Sequence, residues 1–186
     1  TAAENLNDQN PLGSAAGFGT SLPIDRELTT KKLGFKKLQL NTIYCQNSRG
    51  KIESFVVSSL LQLMMTLGKI ANDMVWFTSE EFDFFNVDKS LTTGSSIMPQ
   101  KQNLDIMEVL RANVSVVMSY QMQIQTVGLN LISGYNKDLK VTKKPLLETF
   151  HIIQSSLPIA KLLFQNMKPN EKKLKHALTP STFATD

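Results

Sequence analysis

The sequence predicts an all-α protein built from long antiparallel helices that form part of a helical bundle. Three observations carry that prediction. Apolar residues between 49 and 80 fall at Ile52, Phe55, Val56, Leu60, Leu63, Leu67, Ile70, Met74 and Phe77, mostly in the steps of three and four that mark a helix. Two later stretches, about 104–127 and 136–167, repeat the period. No stretch alternates apolar and polar residues as a half-buried strand would, and no internal repeat is present.

Taken in order, residues 1–10, which begin at Thr1 rather than Met, read as the tail of something longer. Residues 11–23, rich in Gly, Ser and Pro, read as an ordered loop. A short helix follows from Asp25 or Glu27 to about Leu33, ended by Gly34. Ser48 is placed to cap the long helix near Arg49. Val57, Leu61, Met64, Met65 and Ala71 widen its stripe until most of its circumference is apolar, the pattern of a helix surrounded by other helices. At 1.5 Å per residue, roughly thirty residues span ~45 Å. That surface calls for partner helices from elsewhere in the protein or from other subunits.

Residues 86–102 break the pattern. Asn103 is placed to cap a helix over about Leu104–Val127, with Met107, Leu110, Val114, Val117, Ile124 and Val127 on one face. In the stretch 136–167, Leu146, Phe150, Ile153, Leu157 and Leu163 point inward, and Pro145 and Pro158 must start, kink or divide it. A last short helix covers 170–178. Met64, Met65, Met107, Met118 and Met122 read as core, as do Cys45 and Trp76.

Composition narrows the function. A chain with 41% hydrophobic and 19% charged residues is neither a disordered tail nor collagen-like. One cysteine, Cys45, excludes an intramolecular disulfide and a cysteine-built zinc site. The two histidines, His151 and His176, stand far from it in sequence and read as surface or half-buried helix residues. No uninterrupted apolar run reaches the ~18 residues of a membrane span, and no charged-then-apolar leader opens the chain. The expectation is a soluble, cytoplasmic protein that binds neither membrane nor nucleic acid. Nine lysines face three acids over 136–176, but without interleaved aromatics they read as a solvated face.

The chemistry concentrates in the connector before the helix at Leu104. It holds two hydroxyls, an amine and an amide (Gly94-Ser95-Ser96-Ile97-Met98-Pro99-Gln100-Lys101-Gln102-Asn103). A long structureless connector is uncommon unless functional. A helix start offers free N–H groups and partial positive charge, so anions bind there, and Lys101 adds a full charge. The pattern suits a carboxylate or phosphate held by Lys101, Asn103 and backbone amides, with a serine facing it. The alternative is a polar connector. Rival motifs fail: the glycine-rich Gly13–Gly19 follows no predicted strand, no P-loop is present, and no G-x-S-x-G elbow or His/Asp pair accompanies Ser95.

The segment from Gly94 to Asn103 resembles the signature loop of the fumarase/aspartase superfamily, G-S-S-x-M-P-x-K-x-N. Asn10-Pro11-Leu12-Gly13-Ser14-Ala15-Ala16-Gly17, Pro23-Ile24-Asp25-Arg26, Ser79-Glu80-Glu81-Phe82 and Tyr135-Asn136-Lys137-Asp138-Leu139 resemble its argininosuccinate lyase branch. The likeness runs in order from about residue 5 to 165, and spans the latter part of a typical member.

The resemblance implies anti β-elimination of argininosuccinate to arginine and fumarate, without metal or organic cofactor. It implies Ser95 as general base and Lys101 as charge partner of the carboxylate that gains charge. Ser96, Asn103, Tyr135, Lys143 and Arg26 would bind substrate, although an ion pair of Arg26 with Asp25 or Glu27 is an equal reading. The acid would be an upstream histidine with no equivalent here, so this polypeptide alone is expected to be inactive. A homotetramer sharing its active sites is implied too. By the same likeness, residues 1–135 are the latter part of the central helical domain, with the signature loop at 90–103. Residues 136–186 begin a smaller C-terminal helical domain. The chain departs from the family pattern at Gln102, at Leu104, where proline would fix the helix start, at Lys140, where a glutamine is usual, and in the stretch Asn47-Ser48-Arg49-Gly50-Lys51, although Arg49 is in place. These departures leave open a sibling lyase acting on adenylosuccinate or aspartate, or a helical protein that kept the fold without activity.

Overall fold

A computed structural model describes residues 8–94 and 102–179, and helices dominate it. They are α1 (Arg26–Lys32), α2 (Thr42–Asn47), α3 (Lys51–Phe77), α4 (Asp105–Val127), α5 (Lys143–Gln165) and α6 (Glu171–Ala177), with 3-10 turns at Lys89–Leu91 and Lys137–Thr142. The strands are two or three residues long. β1 (Gln9–Asn10) lies parallel to β2 (Lys37–Leu38). β3 (Phe85–Val87) pairs antiparallel with β6 (Met167–Pro169), and β4 (Thr93–Gly94) with β5 (Gln102–Asn103). The all-α reading holds; these ladders are fastenings between helix ends. The chain forms two compact units, 1–62 with 117–150 and 63–116 with 151–186, and each long helix contributes to both.

In the first unit, Gly50 sets where α3 begins. Its φ of +80° is left-handed, and a Cβ there would sit 3.1 Å from Leu139 Cδ2. The Gly50 N–H donates to Glu53 Oε2 at 2.7 Å, the glutamate half of a capping box, so Glu53 covers this helix start. Ser48, expected as the cap of α3, instead ends α2 as its C-cap. A six-residue helix is too short for periodicity to show, and α2 went unforeseen. Asn10, fully buried, knits the entry loop: Nδ2 donates to Thr30 Oγ1 at 2.9 Å and Oδ1 accepts from the Leu12 N–H at 3.0 Å. α3 and α4 meet through Gln121, whose Nε2 donates to Ser54 Oγ at 3.0 Å from a largely buried position.

In the second unit, Arg111 Nη1 donates to Asn72 Oδ1 at 3.1 Å, and Gly68 faces Val114. Rising numbers on α3 meet falling numbers on α4, so the two run antiparallel. A Cβ on Gly68 would stand 2.7 Å from Val114 Cγ2. Alanine there would gain about 1 kcal/mol of helix propensity, whereas overpacking costs about 1–3 kcal/mol. Leucine cannot be accommodated without parting the helices. Gly68→Leu is therefore expected to lower stability by about 1–3 kcal/mol, read as a lower thermal midpoint. At the end of α3, Phe77 packs on Phe84 and Phe85 at centroid distances of 5.7 and 6.2 Å, next to the β3–β6 ladder.

The inward faces are partly as expected. On α4, Met107, Leu110, Val117 and Ile124 are buried. On α3 the buried row joins Leu67 and Met74 of the expected stripe to Val57, Leu61, Met64 and Ala71, which were expected only to widen it, while Phe55 and Leu63 of that stripe are exposed. On α5, Thr142 (just before it), Pro145, Thr149, Ile153, Ser156, Ala160 and Leu163 are buried; Phe150 and Leu157, expected inward, are exposed. Met64 and Met107 are core, but Met65, Met118, Met122 and Trp76 are exposed, contrary to expectation. Pro145 falls in the first turn of α5, where its missing N–H costs nothing, and Pro158 lies inside the helix. By length and composition α3 would suffice to cross a membrane, which no uninterrupted apolar run suggested; its buried row is that of a core helix.

Candidate active site

Of the seven residues singled out for substrate chemistry, Ser95, Ser96 and Lys101 lie outside the described residues. The residues that flank them are in place. β4 and β5 pair Thr93 with Asn103 and Gly94 with Gln102, and Thr93 Oγ1 donates to Asp105 Oδ2 across the same junction. Asn103 is half-buried in this ladder rather than a helix cap. The cap position falls to Leu104, whose carbonyl accepts from the Met107 and Glu108 N–H groups. Leu104 is 7% exposed, so a buried side chain anchors the start of α4 where proline would have stiffened it.

The first unit holds Tyr135, Lys143 and Arg26. Tyr135 begins the segment that leads into the 3-10 turn, and Lys143 follows that turn at the start of α5, exposed. Two residues from the α2–α3 junction hold the segment, although 87 positions separate them from their partners. Asn47 Oδ1 accepts from the Gly134 N–H at 2.8 Å, and Arg49 Nη1 donates to the Asn136 carbonyl at 3.3 Å. The Arg49 guanidinium carbon lies 5.1 Å from the centre of the Tyr135 ring, within cation–π range. Beside them opens a cavity of about 450 Å³, lined among others by Asn47, Arg49, Lys51, Ser54, Ser133 and Asn136 and by no carboxylate.

Arg26 is engaged by backbone. Nε donates to the Leu12 carbonyl at 2.8 Å and Nη2 to the Gln39 carbonyl at 2.9 Å, so the fork ties the entry loop to β2; no salt bridge with Asp25 or Glu27 forms. Cys45, buried and free, lies 3.8 Å from Nη2 and faces the same carbonyl. Arg26→Ala is expected to cost about 1–3 kcal/mol, since two carbonyls lose a charged donor. The check is a denaturant midpoint together with KM. A raised KM at unchanged stability would instead assign Arg26 to substrate.

His151 and His176 are exposed. Among the described residues no group of three or more His, Cys, Asp or Glu side chains is placed to hold a metal ion.

A family model described as lyase matches residues 2–119, more than half of the chain. The chain belongs to this lyase family. Within it, the chain is 40% identical over 181 residues to an argininosuccinate lyase of Thermotoga neapolitana, a match that takes in 97% of this chain and 46% of that protein. It is 41% identical over 170 residues to one of Phocaeicola vulgatus, covering 91% of this chain and 38% of that one. The chain thus spans less than half the length of these curated relatives. Among solved structures, a class II fumarase from Schistosoma mansoni superposes with a TM-score of 0.79 at 16% identity, over 94% of this chain and 42% of the other. An EDDS lyase in complex with formate gives 0.69 at 22% identity, over 89% and 33%. At those identities the structures establish the fold that this lyase-family chain shares with them.

Arg49 and Asn47 are what the sequence reading of this lyase chain left unassigned. Neither has a role in that reading. The partners of Arg49 at 135 and 136 are remote in sequence, and no local pattern signals such a contact.

Proposed function

We propose that the complete protein is an argininosuccinate lyase, a soluble cytoplasmic enzyme that releases arginine and fumarate. One observation carries the proposal: relatives named argininosuccinate lyase stay about 40% identical across nearly all of this chain, including the segments from Asn10 to Arg26 and from Tyr135 to Leu139.

Ser95 removes the proton from the carbon next to a substrate carboxylate. The electron pair spreads into that carboxylate as an aci-carboxylate, then expels the guanidinium nitrogen as the carbon–nitrogen bond breaks. Fixed charge and hydrogen-bond donors aimed at the oxygens that gain charge are usually the largest catalytic term; Lys101 supplies the charge and Asn103 an amide donor. The same surroundings favour ionised Ser95, which at its ordinary pKa is a poor base. Ser96, Tyr135, Lys143 and Arg26 contribute to substrate binding, the last through the loop it braces. We assign the proton donor to neither histidine of this chain, and no step requires a metal or organic cofactor. The working form is a homo-oligomer, a tetramer, which gives exposed Phe55, Met65, Met118 and Met122 a surface to meet. Residues 1–135 with their signature loop belong to the helical domain that builds this assembly, and residues 136–186 begin a smaller one.

The test mixes complete protein with argininosuccinate and follows the ultraviolet absorbance of fumarate. Fumarate with equimolar arginine is the expected result; no product from a correctly assembled protein refutes the proposal. Lys140 favours one rival, a sibling lyase, because it places a cation where the branch has a neutral amide. Fumarate from adenylosuccinate or aspartate but not from argininosuccinate would establish that rival.

A further inference from the structure

Arg49 is an arginine without an acid. No salt bridge to it forms among the described residues, and the adjoining cavity has no carboxylate in its lining. Its fork is committed twice: one nitrogen donates to the Asn136 carbonyl at 3.3 Å, and the guanidinium carbon stands 5.1 Å from the Tyr135 ring centre. Gly50 follows in the left-handed region just before α3, so Arg49 projects from a fixed corner between α2 and α3 rather than from a helix free to fray. Asn47, on the other side of that corner, accepts from the Gly134 N–H at 2.8 Å. The residues before and after Tyr135 are thus both pinned, and its ring lies against a cation, while Tyr135 itself stays 46% exposed.

We propose that Arg49 is a positioning residue for Tyr135: stacked on the ring and bonded to the next carbonyl, it holds the tyrosine in the orientation that receives the amino-acid end of the substrate. The inference rests on the argininosuccinate lyase reading above, which makes Tyr135 a substrate contact. An exposed tyrosine otherwise samples several rotamers, and each substrate encounter must select one. The cation–π contact and the two backbone bonds settle that choice beforehand. The consequence is felt in binding more than in the elimination step, because Arg49 acts on neither the proton nor the leaving nitrogen.

The experiment is steady-state kinetics on the complete protein with argininosuccinate, for Arg49→Gln, Tyr135→Ala and the double variant, with thermal midpoints alongside. Arg49→Gln is expected to raise KM about tenfold, the equivalent of one strong cation–π contact, with kcat nearly unchanged. The double variant is expected to be no worse than Tyr135→Ala alone, because an arginine acting through a ring has nothing left to do once the ring is gone. Arg49→Lys keeps a cation over the ring and is expected to recover part of the loss, which serves if the glutamine variant fails to fold. Effects that multiply in the double variant would show that Arg49 acts independently and overturn the inference. So would a normal KM in Arg49→Gln when Tyr135→Ala is impaired, which leaves the substrate reading intact. An unimpaired Tyr135→Ala would remove Tyr135 from the substrate site and take the inference with it.

Discussion

Ser95→Ala in the complete protein is expected to abolish turnover while leaving assembly and most substrate affinity in place. General-base catalysis by a positioned group contributes about 10²–10⁴-fold, and the two histidines of this chain, on α5 and α6, are exposed and outside the signature. The hydroxyl also contributes little to ground-state binding, so kcat and kcat/KM fall together while KM stays close to its original value. Stopped assays for fumarate, with size-exclusion chromatography to confirm assembly, separate this from misfolding. The ladder that pairs Gly94 with Gln102, the Thr93–Asp105 hydrogen bond and buried Leu104 hold both approaches to the signature. Near-normal kcat in the alanine variant would remove Ser95 from the base role.

The contrast between α4 and α5 shows what the sequence could disclose. α4 carries its buried positions as Met107, Leu110, Val117 and Ile124, so hydrophobic period and burial coincide. Thr142, just before α5, and Thr149 and Ser156 on it are buried at intervals of seven, and these short hydroxyl side chains read as surface in any apolar count. Thr149 Oγ1 satisfies itself on the Pro145 carbonyl at 2.7 Å, which is how a polar residue enters a tightly packed face. Larger Phe150 and Leu157, which dominate the pattern, are left outside. On α3 the apolar surplus hid the choice: with residues available on both faces, periodicity names the helix but not its inward side. The β ladders were illegible for a different reason. Two-residue strands carry no alternation, and the pairing of Phe85 with Pro169 joins segments more than eighty residues apart.

The site divides along the same line. Its proposed signature is local, a run of ten residues that a reading of the sequence can single out without knowing the fold. The support of Tyr135 is non-local, made by Asn47 and Arg49, and becomes visible only once the chain has folded. Arg26 lies between the two cases. Its charge suggested a carboxylate, but the fold spends its donors on the carbonyls of Leu12 and Gln39, an outcome that depends on where β2 returns beside the entry loop.

Lys101→Met is the second large effect, and its expected signature differs from that of the serine. On the proposed function the ammonium meets an anion in the ground state and a more highly charged one in the transition state, so its removal is expected to raise KM and lower kcat together. Loss of a single preorganised donor at a developing oxyanion typically costs about 10²–10³ in kcat, which sets the expected scale. Methionine keeps most of the side chain's length and apolar stem, so the change is chiefly one of charge. Arginine would restore charge but not shape, because a planar fork cannot replace a compact ammonium. Lys101→Arg is therefore expected to recover KM more than kcat. If Lys101→Met altered KM alone, the lysine would bind substrate without stabilising the aci-carboxylate, and the electrostatic burden would pass to Asn103 and the backbone N–H groups at the start of α4.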